Sequence, residues 1–129
     1  MKIDTEDDVV TVRKAVRALA QELGFDAFAN AAVTTASSEL ARNVWVHAGG
    51  GTVTLEVLDG GTRVGVRMVF RDEGPGIPDL ERALKGGHST AKSLGLGLSG
   101  SRRLVDGFEI VTAAGRGTMI TVEKWKRTY

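Results

Sequence analysis

Cysteine is absent from this chain, which excludes a disulfide framework and a thiolate metal site. A charge of one sign is missing too. Lys and Arg number 17 against 16 Asp and Glu, so there is no basic excess of the kind nucleic-acid binders carry. Aromatics make up only 5% of residues, too few for a base-stacking platform. No apolar run approaches the ~20 residues of a membrane span. The opening MKIDTEDDVV carries acid where a signal peptide carries base. Repeats, low-complexity tracts and linkers are missing as well. These absences predict one cytoplasmic domain over residues 1–129, with neither nucleic acid nor membrane as partner. The basic residues Lys124, Lys126 and Arg127 read as a solvated end.

Two periodicities are present instead. Val9, Val12, Val16, Leu19 and Leu23 fall at three- and four-residue steps and predict a helix over residues 7–23. Thr5 with Asp8 suits a capping box before it, and Gly24 a stop after it. A second helix is expected from Ala27 to His47, burying Val33, Ala36, Leu40 and Val44 and ending at Gly49-Gly50-Gly51. The period then becomes two. Val53, Leu55 and Val57 alternate with polar residues, Asp59-Gly60-Gly61 makes a turn, and Val64, Val66, Met68 and Phe70 form the return strand. A helix from Gly97 to Asp106 and strands near 108–113 and 118–125 complete the chain. This order predicts an α+β sandwich, with helices on one face of a mostly antiparallel sheet.

Three local patterns can carry chemistry, and each has a structural reading beside the functional one. Glu39 and Asn43 lie four apart and share a helical face. That face is either solvated or a carboxylate base beside an amide that can ligate Mg²⁺, a cation satisfied by few protein oxygens plus phosphates. Asp72 falls on the core face of its strand, where a carboxylate needs a donor. The donor is either the following turn or a ligand amine, with Gly74 and Gly76 letting the backbone pass close to a flat ring. Gly95, Gly97 and Gly100 spell GxGxxG. A patterned strand should precede that motif in a dinucleotide fold, and residues 88–93 are polar and unpatterned. A helix beginning there would still offer free amides to phosphate. The chain contains neither a Walker loop nor HRD and DFG segments.

Taken in order, the helical ExxxN, the DxGxG after a strand and the closing GLGLGL resemble the Bergerat (GHKL) ATP-binding fold along nearly the whole chain. Within it, SELARNVWVHAGGG, DEGPGIPDLERAL and GGHSTAKSLGLGLSGSRRLVDGF look most like the stressosome switch serine/threonine kinases, of the anti-sigma-factor type. The resemblance implies ATP and Mg²⁺ as cofactors, with Glu39 as base and Asn43 as the metal ligand. It further implies Asp72 as acceptor from the adenine amine, Thr118 assisting through water, and Gly74 and Gly76 lining the adenine pocket. Gly95, Gly97 and Leu98 would give amides to the phosphates, with Ser89, Thr90 and Lys92 in a lid over them. The implied partners are a STAS-domain protein as phosphate acceptor and a PP2C-type phosphatase. An anti-sigma factor that binds a sigma subunit, or a non-catalytic nucleotide-dependent module, are the alternatives.

Overall fold

The computed structural model describes residues 1–75, 92–113 and 115–126. In chain order these form β1 (Lys2–Ile3), α1 (Glu6–Glu22), α2 (Ala27–Ala48), β2 (Gly51–Asp59), β3 (Val64–Asp72), α3 (Lys92–Leu104), β4 (Gly107–Ala113) and β5 (Gly117–Trp125). The expected α+β sandwich is what they build: among the described residues, three helices pack on a five-stranded antiparallel sheet of order β1-β2-β3-β5-β4.

Local chemistry sets the helix ends. Thr5 Oγ1 accepts from the Asp8 amide at 3.2 Å, and Asp8 Oδ2 accepts from the Thr5 amide at 3.1 Å. This capping box satisfies donors the first turn leaves unpaired. A further bond from the Asp4 amide does most to hold the Asp8 carboxyl below its ordinary pKa. At the other end Gly24 takes φ +84°. Its amide donates to Gln21 O and that of Phe25 to Ala20 O, while Phe25 turns into the core. Asp26 then caps α2, with Oδ1 accepting from Ala29 N at 2.7 Å.

α2 is the central helix, flanked by α1 and α3 and lying on the sheet. Its predicted stripe of Val33, Ala36, Leu40 and Val44 is buried, and so are Ala29, Ala32, Ser37 and Ala41. The stripe is wider than predicted because a helix with neighbours on both flanks hides more than one face, and small residues let the backbones approach. On the sheet, strand parity is as expected. Val66, Met68 and Phe70 of β3 point to the helices, in register with Val57, Leu55 and Val53 of β2 and with Ile120 and Val122 of β5. On the opposite face Arg67 reaches Glu123 at 2.9 Å and Glu56 at 3.6 Å.

Two expectations are corrected here. Lys124 is not part of a solvated end: it is 7% exposed, with Nζ 3.7 Å from Asp106 Oδ1. Parity decides this, since Lys124 follows Thr118, Ile120 and Val122 on the helix side and its apolar stem extends the core while the ammonium reaches a carboxylate. Lys126 is exposed as expected, and Arg127 lies outside the described residues. The third helix begins at Lys92 rather than Gly97 and stops at Leu104. A helical glycine costs only about 1 kcal/mol against alanine, and burying Leu98 completely in the core returns more than that. Among the described residues no helix is long and apolar enough to cross a membrane.

Candidate functional site

The end of the sheet where β3 stops carries a row of polar side chains on its helix-facing side. Asp72 pairs with Thr118 across β3 and β5, and Thr118 pairs with Thr112 across β5 and β4. The two threonine hydroxyls are 3.0 Å apart, and Thr112 Oγ1 also donates to Gly117 O at 3.3 Å. Asp72 Oδ1 accepts from the Gly74 amide at 3.0 Å. The turn-capping reading of Asp72 is therefore realised. It occupies one carboxylate oxygen and is compatible with recognition by the other. A cleft of about 780 Å³ opens at this end of the sheet, with Asp72, Thr112, Gly117 and Thr118 among its walls.

Two glycines bring this row into place. A Cβ on Gly74 would lie 2.6 Å from Ala48 Cβ, so only glycine lets the chain leaving β3 rest on the last turn of α2. Gly117 takes φ +88°, and a Cβ there would run into the Asp72 carbonyl, with Glu73 Cα 2.9 Å away. Gly117→Ala combines a disfavoured backbone with that overlap. It is expected to lower stability by about 2–4 kcal/mol, read from urea unfolding midpoints. An unchanged midpoint would mean that β5 can slide away from Asp72 freely.

The contact between Gly74 and Ala48 places the end of α2 beside Asp72. Along α2, at steps of four, follow His47, Asn43 and Glu39, all half-buried. At 1.5 Å rise per residue Glu39 stands about 13 Å along the axis from Ala48. The Nδ2 of Asn43 is buried without a hydrogen-bond partner among the described residues. An unpaired buried amide costs free energy, so the position calls for a polar ligand. Glu39 and Asn43 are not walls of the cleft, which instead wraps the sheet end to Arg71 and Met119 on the outer face.

His47 sits in the last turn of α2, where the helix dipole favours a cation. Burial opposes this and is the larger effect, pushing the imidazole pKa below its ordinary 6.5. The folded chain thus binds the proton less readily than the unfolded one. Stability is fully present above 6.5 and is lost as pH falls through the lowered folded value. Thermal melts from pH 7.5 down to pH 5 are expected to show a steeper decline for the native chain than for His47→Gln. Parallel declines would place His47 in solvent.

The remaining predicted residues fall in the third helix or beyond the described part. Gly76, Ser89 and Thr90 lie outside the described residues. Lys92, Gly95 and Gly97 lie in the first half of α3. A helix starting at Lys92 commits the amides of Gly97 and Leu98 to carbonyls four residues back. Its unpaired amides are those of the first turn, the ones open to an anion in this conformation. The Leu98 side chain is fully buried in the core. Thr112 and Gly117 were missed in the sequence. Strand parity on either side of the turn at 115–116 is the signal that pairs 112 with 118.

Residues 3–124 match the family described as histidine kinase-like ATPase domain. Serine/threonine-protein kinase RsbT of Bacillus subtilis (strain 168) is 42% identical over 127 residues, covering 98% of this chain and 96% of that protein. The anti-sigma F factor of Thermoanaerobacter sp. (strain X514) is 27% identical over 119 residues, covering 88% and 82%. Among solved structures, the mycobacterial sensor histidine kinase MprB superposes with a TM-score of 0.56 at 21% identity, over 78% of this chain and 74% of that one. At that identity the likeness speaks for the fold alone.

Proposed function

The chain belongs to the histidine kinase-like ATPase domain family, and we propose that it is a serine/threonine protein kinase passing the γ-phosphate of ATP to a STAS-domain antagonist protein. The observation that carries the reading is an order in space. An acceptor pair, Asp72 and Thr118, stands at the sheet end; an unpartnered amide, Asn43, lies near the end of α2; a carboxylate, Glu39, lies one turn further. Base recognition, phosphate and metal holding, and activation of an acceptor hydroxyl need these groups in this sequence.

Asp72 would accept from the adenine amine, with Thr118 beside it and Gly74 keeping that edge free of side chains. The first amides of α3 and the dipole behind them would favour the phosphates. A half-turn of the Asn43 amide exchanges its nitrogen for its oxygen, so the buried end can face a cation. Among the described residues no three His, Asp or Glu side chains converge on a metal position. Mg²⁺ fits such a site, since one protein oxygen plus phosphates can hold it, and when bound it neutralises phosphate charge. Glu39 would orient or deprotonate the incoming hydroxyl.

The 42% identity to a protein named as a serine/threonine kinase supports the activity. A STAS-domain acceptor, activation of a PP2C-type phosphatase and a cytoplasmic setting are the finer parts of the proposal. Incubation with labelled ATP, Mg²⁺ and a cognate STAS protein is the test, and absence of label on Ser or Thr would sink it. The 27% identity to an anti-sigma F factor favours a second reading, in which the chain also holds a sigma subunit. Copurification of a sigma factor, strengthened by ADP, would select that one.

A further inference from the structure

The hydroxyl chain at the sheet end has a direction. A threonine hydroxyl has one proton to give and can accept besides. Either threonine can supply the proton in their 3.0 Å contact; with Thr112 placed to donate to the Gly117 carbonyl at 3.3 Å, the arrangement that makes both bonds has Thr118 supply it. Thr118 is 8% exposed and held in register between β3 and β4, which leaves it little freedom to turn away. In that arrangement Thr118 presents only lone pairs to the cleft it lines. Asp72, its neighbour across the ladder, is acceptor-only when ionised.

We infer that Thr112 is a positioning residue that sets base choice: by taking the Thr118 proton it makes the site accept from an exocyclic amine and disfavour a carbonyl in the same place. This rests on the nucleotide reading of the site given above. An acceptor facing a carbonyl oxygen leaves both groups unpaired, and sites built on such pairing reject the mismatched analogue strongly. Thr112 needs no contact with the nucleotide for this. It acts through Thr118.

The test is calorimetric titration of the full chain with ATP and with ITP, which carries a carbonyl where ATP carries the amine, both with Mg²⁺. The native chain should prefer ATP. In Thr112→Val the Thr118 proton is released and can be donated to the carbonyl. The ATP-to-ITP affinity ratio should therefore narrow by roughly tenfold, chiefly through tighter ITP binding. Thr112→Ser keeps the hydroxyl and should keep the native ratio. Thr112→Ala gives the same comparison if the valine variant fails to fold. A native ratio in the valine and alanine variants, with ATP still bound, overturns the inference and leaves the site reading standing. A ratio lost equally in Thr112→Ser also overturns it, since packing and not the hydroxyl would then be responsible. If the native chain binds neither nucleotide, the site reading fails and the inference with it.

Discussion

Glu39→Ala is expected to reduce phosphoryl transfer by about 10²–10⁴-fold while leaving ATP affinity within about twofold of native, since a positioned base contributes that much to rate and nothing to base recognition. Glu39 is half-buried on α2, one turn from the unpartnered Asn43 amide and about 13 Å along the axis from the contact with Gly74. That separation keeps it away from the adenine end. The substitution is mild for the fold: alanine is the better helix former, and the Glu39 side chain makes no hydrogen bond or ion pair among the described residues, so melting should move little. Any loss of transfer would then report on chemistry. Glu39→Gln refines the result, because an amide can still orient a hydroxyl but cannot take its proton. Comparable losses in both variants would assign proton removal, and a much smaller loss in Gln would assign orientation. Native transfer in both would return Glu39 to the solvated-face reading that its spacing also allows.

The parts of this molecule legible in the sequence are those whose cause is local. α1 announces itself because its apolar period, capping box and glycine stop all lie within twenty-odd residues and agree. The β2–β3 hairpin is equally plain, with parity on both sides of a glycine turn, and parity also puts Asp72 on the core side. α3 misleads for the opposite reason. Its glycines signal a loop locally, whereas the packing that draws Leu98 into the shared core comes chiefly from α2, far away in sequence. Lys124 shows the same conflict, with a run of bases suggesting solvent and the strand alternation suggesting burial. The insertion of β5 between β3 and β4 has no local signature at all. That insertion sets Thr118 beside Asp72 and Thr112 beside Thr118. The types of residue in the candidate site are thus visible in the chain, but their adjacency is a property of the sheet order. The buried, unpartnered state of the Asn43 amide is likewise invisible until α2 has neighbours.

Asp72→Asn tests the other end of the site and should weaken ATP binding by about 10–100-fold, the range for a hydrogen bond to a charged group. The change is nearly isosteric and leaves the turn intact, because an asparagine oxygen can still accept from the Gly74 amide as Asp72 Oδ1 does at 3.0 Å. The other end of the group changes sign as a hydrogen-bonding partner. A lone pair becomes an N–H facing the donor it was meant to receive, while Thr118 beside it remains an acceptor. The loss should appear in KM and in calorimetry, with transfer at saturating ATP largely retained, which is the reverse of the pattern for Glu39. A carbonyl-bearing base should suffer less than ATP, since the new N–H suits it. Retained affinity with an unchanged melting temperature would mean that Asp72 only caps the turn after β3. Reduced affinity together with a lowered melting temperature would instead trace the effect to that turn, and the Gly74 contact with Ala48 would become the element to vary next.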